Sequence, residues 1–148
     1  SSGGIYYPEN IFYIGDYLQY DGFSYRLVPI ETPEREDGEM GRVDANSLYK
    51  TIKNFKWGNF KDLKVHFDET CTQNIVSYRG SVSRAAEALS LSGQNKKAVE
   101  LLDLVSKEIP VAKYDDPRSL SSIVYAYIFA GQEQKGLKLA EDLKKGIF

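Results

Sequence analysis

Two aspartates five residues apart, Asp16 and Asp21, sit among Tyr17 and Tyr20. That combination could hold a sugar, because carboxylates accept hydrogen bonds from hydroxyls and aromatic faces cover the C–H side of the ring. The same residues also have a purely structural use. Asp21 followed by Gly22 starts a turn, and tyrosines bury their rings while the hydroxyl finds a partner at the edge. Trp57, in Trp57-Gly58-Asn59, is either a further stacking surface or a core anchor at a turn. Arg26 can pair with Asp16 or Asp21. His66 is flanked by Asp62 and Asp68 but has no other ligand-type neighbour. Cys71 falls in the first turn of a helix, where the helix dipole could lower its pKa. No base lies near it in sequence, so a buried structural thiol is the expectation. A single His and a single Cys exclude the usual His/Cys zinc sets. No glycine-rich phosphate loop and no Gly-x-Ser-x-Gly elbow is present. No catalytic residue, metal or cofactor is therefore expected, and the chain is read as a binding or accessory unit.

The totals narrow the partners. A chain of 148 residues can bury one real core. Its net charge of −2 supplies no basic field, which argues against nucleic acid or an anionic membrane surface. No apolar run approaches the roughly 20 residues of a membrane helix, so direct membrane insertion is not expected. The sequence has neither an initiating Met nor a signal peptide and is read as a piece of a longer polypeptide. One cysteine leaves the redox compartment open.

Several elements must position these residues. Residues 1–43 form an aromatic β/irregular segment that holds 8 of the 19 aromatics, counted as 11 Tyr, 7 Phe and 1 Trp in all. Within it a short helical turn is predicted at Asp16–Tyr20 and a strand at Phe23–Ile30, which Pro29 confines to an edge. Tyr6–Tyr7 or Phe12–Ile14 is the expected strand partner. Residues 31–42 read as a mobile, protease-sensitive loop. Residues 44–148 read as a helical domain, joined to the first segment in one compact unit. Asp44 starts a helix with Leu48, Ile52 and Phe55 on one face. Asp68 caps a long helix that runs to Leu91, with Gly93 as its stop. Further helices are predicted at about 95–109, 117–130 and 133–145.

The last four helices contain a repeat. Shifting residues 83–109 by 38 positions superposes Ser83 on Ser121, Ala88 on Ala126, Gly93 on Gly131, Gln94 on Gln132 and Leu101 on Leu139. A period of this size points to stacked helical hairpins. Each copy resembles a degenerate tetratricopeptide repeat, at about 79–112 and 117–148. Ala86 and Ala98 take the small positions in the first copy, and Val124 and Gly136 in the second. The fold class is thus mainly α, tetratricopeptide-like hairpins behind a small N-terminal β segment. The resemblance implies a concave face bearing Ser83, Glu87 and Ser90 from one copy and Arg118, Ser121 and Tyr125 from the other. That face is either a peptide groove or solvated surface.

Tyr17–Ile30, followed by Val43-Asp44, Leu48-Tyr49, Phe55-Lys56-Trp57-Gly58-Asn59 and Asp68-Glu69, resembles the C-terminal region of a family of multi-pass membrane proteins common in Bacteroidetes. Those proteins are similar to O-mannosyltransferase-type glycosyltransferases. The resemblance implies a non-catalytic accessory domain on the periplasmic side, tethered by upstream membrane helices. Its partner would be the membrane part of the same polypeptide or an acceptor protein. An independent peptide-binding scaffold remains open, as does a carbohydrate module using Tyr17, Tyr20, Asp21 and Trp57.

Overall fold

The computed structural model describes residues 14–31 and 41–146. It is mainly helical, with a small sheet at its front. A 3-10 turn at Gly15–Tyr17 leads into β1 (Leu18–Tyr20), followed by β2 (Tyr25–Leu27) and β3 (Arg42–Val43). The helices are α1 (Ala45–Asn54), α2 (Glu69–Leu91), α3 (Asn95–Glu108), α4 (Pro117–Phe129) and α5 (Glu133–Gly146).

The sheet order is β2-β1-β3. β1 and β2 are antiparallel, with Leu18 opposite Leu27 and Tyr20 opposite Tyr25. β3 runs parallel to β1 and sets Val43 opposite Tyr20. This corrects two sequence expectations. The helical turn predicted at Asp16–Tyr20 stops at Tyr17, because Leu18 and Tyr20 alternate into the core as strand residues. The turn Asp21–Ser24 then folds the chain back through an Asp21 N–H bond to the Ser24 carbonyl at 2.8 Å, with Gly22 at φ 93°. Arg42, expected at the end of the loop, and Val43 supply the third strand. The predicted strand Phe23–Ile30 shortens to its centre. Of the expected strand partners, residues 6–7 and 12–13 lie outside the described residues, as do residues 32–40 of the expected loop.

The helix starts follow their caps. The Asp44 carboxylate accepts from the backbone of Asn46 and Ser47, Asp68 from Cys71, and Asp116 from Ser119 with Pro117 at the first position. The repeat is visible in the stops. Gly93 and Gly131 take φ 76° and 78°. Behind each, an equivalent bond runs from Gln94 N–H to the Leu89 carbonyl and from Gln132 N–H to the Tyr127 carbonyl, both 2.8 Å. α2–α3 and α4–α5 form two hairpins stacked chiefly through α2 and α4. Ala86 and Ala98 are fully buried in the first hairpin. At Gly136 a Cβ would stand 2.9 Å from Ile128 and 3.0 Å from the Val124 carbonyl, so α4 and α5 approach as closely as glycine permits.

α1 packs on α2 and, with Leu48 and Ile52, closes the front of the core. Phe23, Phe55, Trp57 and Tyr78 form an aromatic cluster with ring centroids 4.6–6.4 Å apart. It joins the hairpin tip of the sheet to α1 and α2.

Candidate functional site

α2 carries an open stripe running Ser77, Gly80, Ser81, Arg84, Glu87, Ala88, Leu91. The sheet borders it on one side with Tyr20, Tyr25 and Val43. α4 borders it on the other with Ser122 and Phe129. Together they enclose a groove of about 660 Å³. The spacing of three and four residues puts this set on one helix face. A Cβ added at Gly80 would meet nothing within 4 Å, so the floor there is open.

The sheet wall is held by one side chain. The Arg84 guanidinium stacks on the Tyr20 ring at 4.4 Å, donates to the Tyr25 hydroxyl at 3.2 Å and reaches the Gly41 carbonyl at 3.4 Å. A guanidinium suits this task because it offers a flat face and several donors at once. The hairpin wall is held by a second buried arginine. Arg79 is 1% exposed and donates to the Ser119 hydroxyl at 3.1 Å and to the Ile109 carbonyl at 2.9 Å. It thus ties α2 to the end of α3 and the start of α4. Burial pulls its pKa down to about 10, against the opposing pull of Asp116, Tyr114 and Asp115.

Three serine hydroxyls along the groove have committed their protons. Ser77 donates to the Asn74 carbonyl and Ser122 to the Ser119 carbonyl, both at 2.7 Å. Ser83 lies 3.2 Å from Ser122 in the α2–α4 contact. The Ser122 oxygen accepts from Ser83 as well as donating to Ser119, so its remaining capacity is small, whereas exposed Ser77 keeps acceptor lone pairs. The groove mouth is different in character. Leu91 is 75% exposed and Phe129 54% exposed, and the two are separated by the repeat's own offset of 38. The stacked hairpins therefore present equivalent apolar positions side by side.

The sequence-predicted residues are scattered over several places. Glu87 lines the groove, and Ser83 lies in its floor but is buried between helices. Arg118, Ser121 and Tyr125 form the neighbouring exposed stripe of α4, outside the lining, and Ser121 turns its hydroxyl back to the Arg118 carbonyl at 2.8 Å. Ser90 is half-buried, and its hydroxyl has no hydrogen-bond partner among the described residues. The sugar candidates do not assemble. Trp57 is 7% exposed inside the aromatic cluster, Tyr20 lies under Arg84, and Tyr17 is exposed outside the groove lining. Asp21 is buried at the turn, paired with Arg26 at 2.5 Å and with Gln19 at 3.0 Å.

Cys71 departs from expectation in both respects. It is exposed, and its pKa is raised rather than lowered, because Asp68 accepts from it and repels the thiolate. His66 is exposed, and no group of three or more His, Cys, Asp or Glu able to hold a metal occurs among the described residues. Arg84, Ser122, Phe129 and Arg79 were missed in the sequence. The repeat offset from Leu91 could have found Phe129, and Arg79's place in the apolar stripe Ile75–Val82–Ala86 could have flagged its burial.

Fold and site together define a helical-hairpin domain with a small sheet docked on its first repeat helix. Residues 2–47 match the family model described as TMEM260-associated domain 2, so this segment is similar to a domain that accompanies a membrane protein. No curated protein and no solved structure matches the chain. No helix among the described residues is long and apolar enough to cross a membrane.

Proposed function

We propose that this chain is a non-catalytic accessory domain of a glycosyltransferase-like membrane protein, standing on the extracytoplasmic side. It would pack on the membrane part of the same polypeptide or hold an acceptor polypeptide near it. The observation that carries this reading is the match over residues 2–47, which contains the Tyr17–Ile30 motif. That motif is built into the helical unit through Arg84 and the Phe23–Trp57 cluster. The resemblance of Tyr17–Glu69 to the Bacteroidetes O-mannosyltransferase-like family suggests the glycosyl-transfer setting and the periplasmic location. The degenerate tetratricopeptide character of the hairpins supplies the interaction role.

The test removes residues 14–146 from the full-length polypeptide. Impaired accumulation, acceptor binding or sugar transfer is expected. Unchanged values for all three would contradict the proposal. A second reading, an independent peptide-binding scaffold, is favoured by the groove between the sheet and the two hairpins. It predicts acceptor-independent partner binding and no glycosylation defect on deletion.

A further inference from the structure

We infer that the free edge of β2 takes up a short extended segment from the membrane part of the same polypeptide, which adds to the sheet as a fourth strand. The inference rests on the accessory-domain reading above and names the surface through which that domain packs. Backbone geometry is its first support. The order β2-β1-β3 leaves β2 at an edge of the sheet. In an antiparallel ladder, hydrogen-bonded and non-hydrogen-bonded pairs alternate. Bonds from Asp21 N–H to the Ser24 carbonyl and from Val28 N–H to the Tyr17 carbonyl, both 2.8 Å, set the phase of that alternation. Gln19–Arg26, midway between them, is therefore a bonded pair. Tyr25 and Leu27, opposite Tyr20 and Leu18, turn their N–H and C=O groups away from β1. Those groups have no hydrogen-bond partner among the described residues. Donors and acceptors alternating at strand spacing match extended backbone rather than a glycan or a lipid.

The surroundings of the edge are the second support. Leu27, Ile30 and Tyr17 are 62%, 46% and 39% exposed at the end of the ribbon away from the Asp21–Ser24 turn. A strand laid on β2 would cover apolar surface there as well as backbone. Arg26 argues against a second copy as the occupant. Its side chain is 67% exposed at the middle of the edge. Two copies paired through Tyr25 and Leu27 would bring Arg26 against its own counterpart in the close, non-hydrogen-bonded position, where like charges are unfavourable.

Length is the third support. β2 has three residues. The few bonds it offers, each of modest net worth, do not offset the lost freedom of a separate molecule. A segment tethered in the same polypeptide meets the edge at high effective concentration and needs no more than these bonds.

The test is amide hydrogen exchange, resolved to single residues, on this chain alone and on the full-length polypeptide in lipid nanodiscs without acceptor. In this chain alone, Arg26 should be protected by β1 while the Tyr25 and Leu27 amides exchange fast. In the full-length polypeptide those two amides should exchange at least tenfold more slowly, whatever the protein concentration. Leu27→Pro removes an outward N–H, which an edge strand can lose without breaking its own ladder. It should release Tyr25 in the full-length polypeptide and leave Arg26 protected. Leu27→Ala, which keeps the N–H, should leave Tyr25 slow. Equal exchange of Tyr25 and Leu27 in the two samples would overturn the inference. So would protection already present in this chain alone and rising with its concentration, which would make a second copy the occupant. Slow exchange of Tyr25 that survives Leu27→Pro would also overturn it, since burial without strand pairing would then explain the effect. The accessory role is decided separately, by the deletion described above.

Discussion

The two helical glycines Gly80 and Gly136 should respond differently to the same substitution, only Gly80→Ala being stabilising. Gly80→Ala places a methyl where nothing lies within 4 Å. It gains only the intrinsic helix preference of Ala over Gly, about 0.8–1 kcal/mol. Gly136→Ala has the same intrinsic gain. Its methyl, however, would stand 2.9 Å from an Ile128 side-chain carbon and 3.0 Å from the Val124 carbonyl. The side chain can turn away, but the carbonyl is part of α4 and moves only with its helix. Overpacking of this kind costs about 1–3 kcal/mol, so the net change runs from about zero to about 2 kcal/mol of destabilisation. The two variants should differ by about 1–3 kcal/mol, on the same arithmetic. Urea unfolding followed by circular dichroism reads both. In a domain of this size each kcal/mol moves the melting temperature by about 2–4 °C. Equal stabilisation by both variants would refute the close α4–α5 crossing and, with it, the hairpin packing of the second repeat.

Other outcomes follow from the same geometry. Ala86→Leu or Ala98→Leu should lower stability by about 1–3 kcal/mol, since both sites are fully buried; an unchanged urea midpoint would count against the first hairpin. Arg79→Met keeps the bulk but leaves the buried Ile109 carbonyl without its donor, with an expected loss of about 1–3 kcal/mol. Cys71, although exposed, should react with iodoacetamide at pH 8 more slowly than a free thiol, and Asp68→Asn should speed it; equal rates would contradict the carboxylate–thiol contact. Asp68 itself is held below the ordinary carboxylate range by the Cys71 N–H. Its folded pKa is depressed, so its stabilising effect is present above about pH 4 and is lost as the pH falls through the folded value. Asp68→Asn should flatten that part of an acid titration of stability. Trp57 emission should be blue-shifted and unmoved by added sugars, because the ring is buried in the aromatic cluster.

The helices were legible because their ends are written in side chains. Asp44, Asp68, Asp116-Pro117, Gly93 and Gly131 placed the boundaries to within a residue or two, and the 38-residue offset paired the hairpins. The sheet was less legible. Strands of two or three residues are too short for a period-2 pattern, and β3 joins β1 from across residues 32–40. The groove was only half legible. Helical periodicity placed Glu87 on the face of α2 that lines the groove. It could not reveal that the sheet would form the second wall. On α4 it selected the stripe Arg118–Ser121–Tyr125, one step around the helix from Ser122 and Phe129, because the rotation of α4 against α2 is set by the Ser83–Ser122 contact and the Arg79–Ser119 bond. Charged residues in a helix ordinarily read as solvated, so neither Arg79 nor Arg84 stood out as a fastener.

The claim on which the rest depends is that the aromatic front segment is fastened to the first hairpin and forms a wall of its groove. Amide hydrogen exchange on the intact chain and on Arg84→Gln tests it most directly. Protected amides in Leu18–Tyr20 and at Arg26 are expected in the parent chain. In the variant those amides should exchange at least tenfold faster, while α3 to α5 stay as they were. Unprotected sheet amides in the parent chain, or a sheet indifferent to the loss of Arg84, would contradict the account.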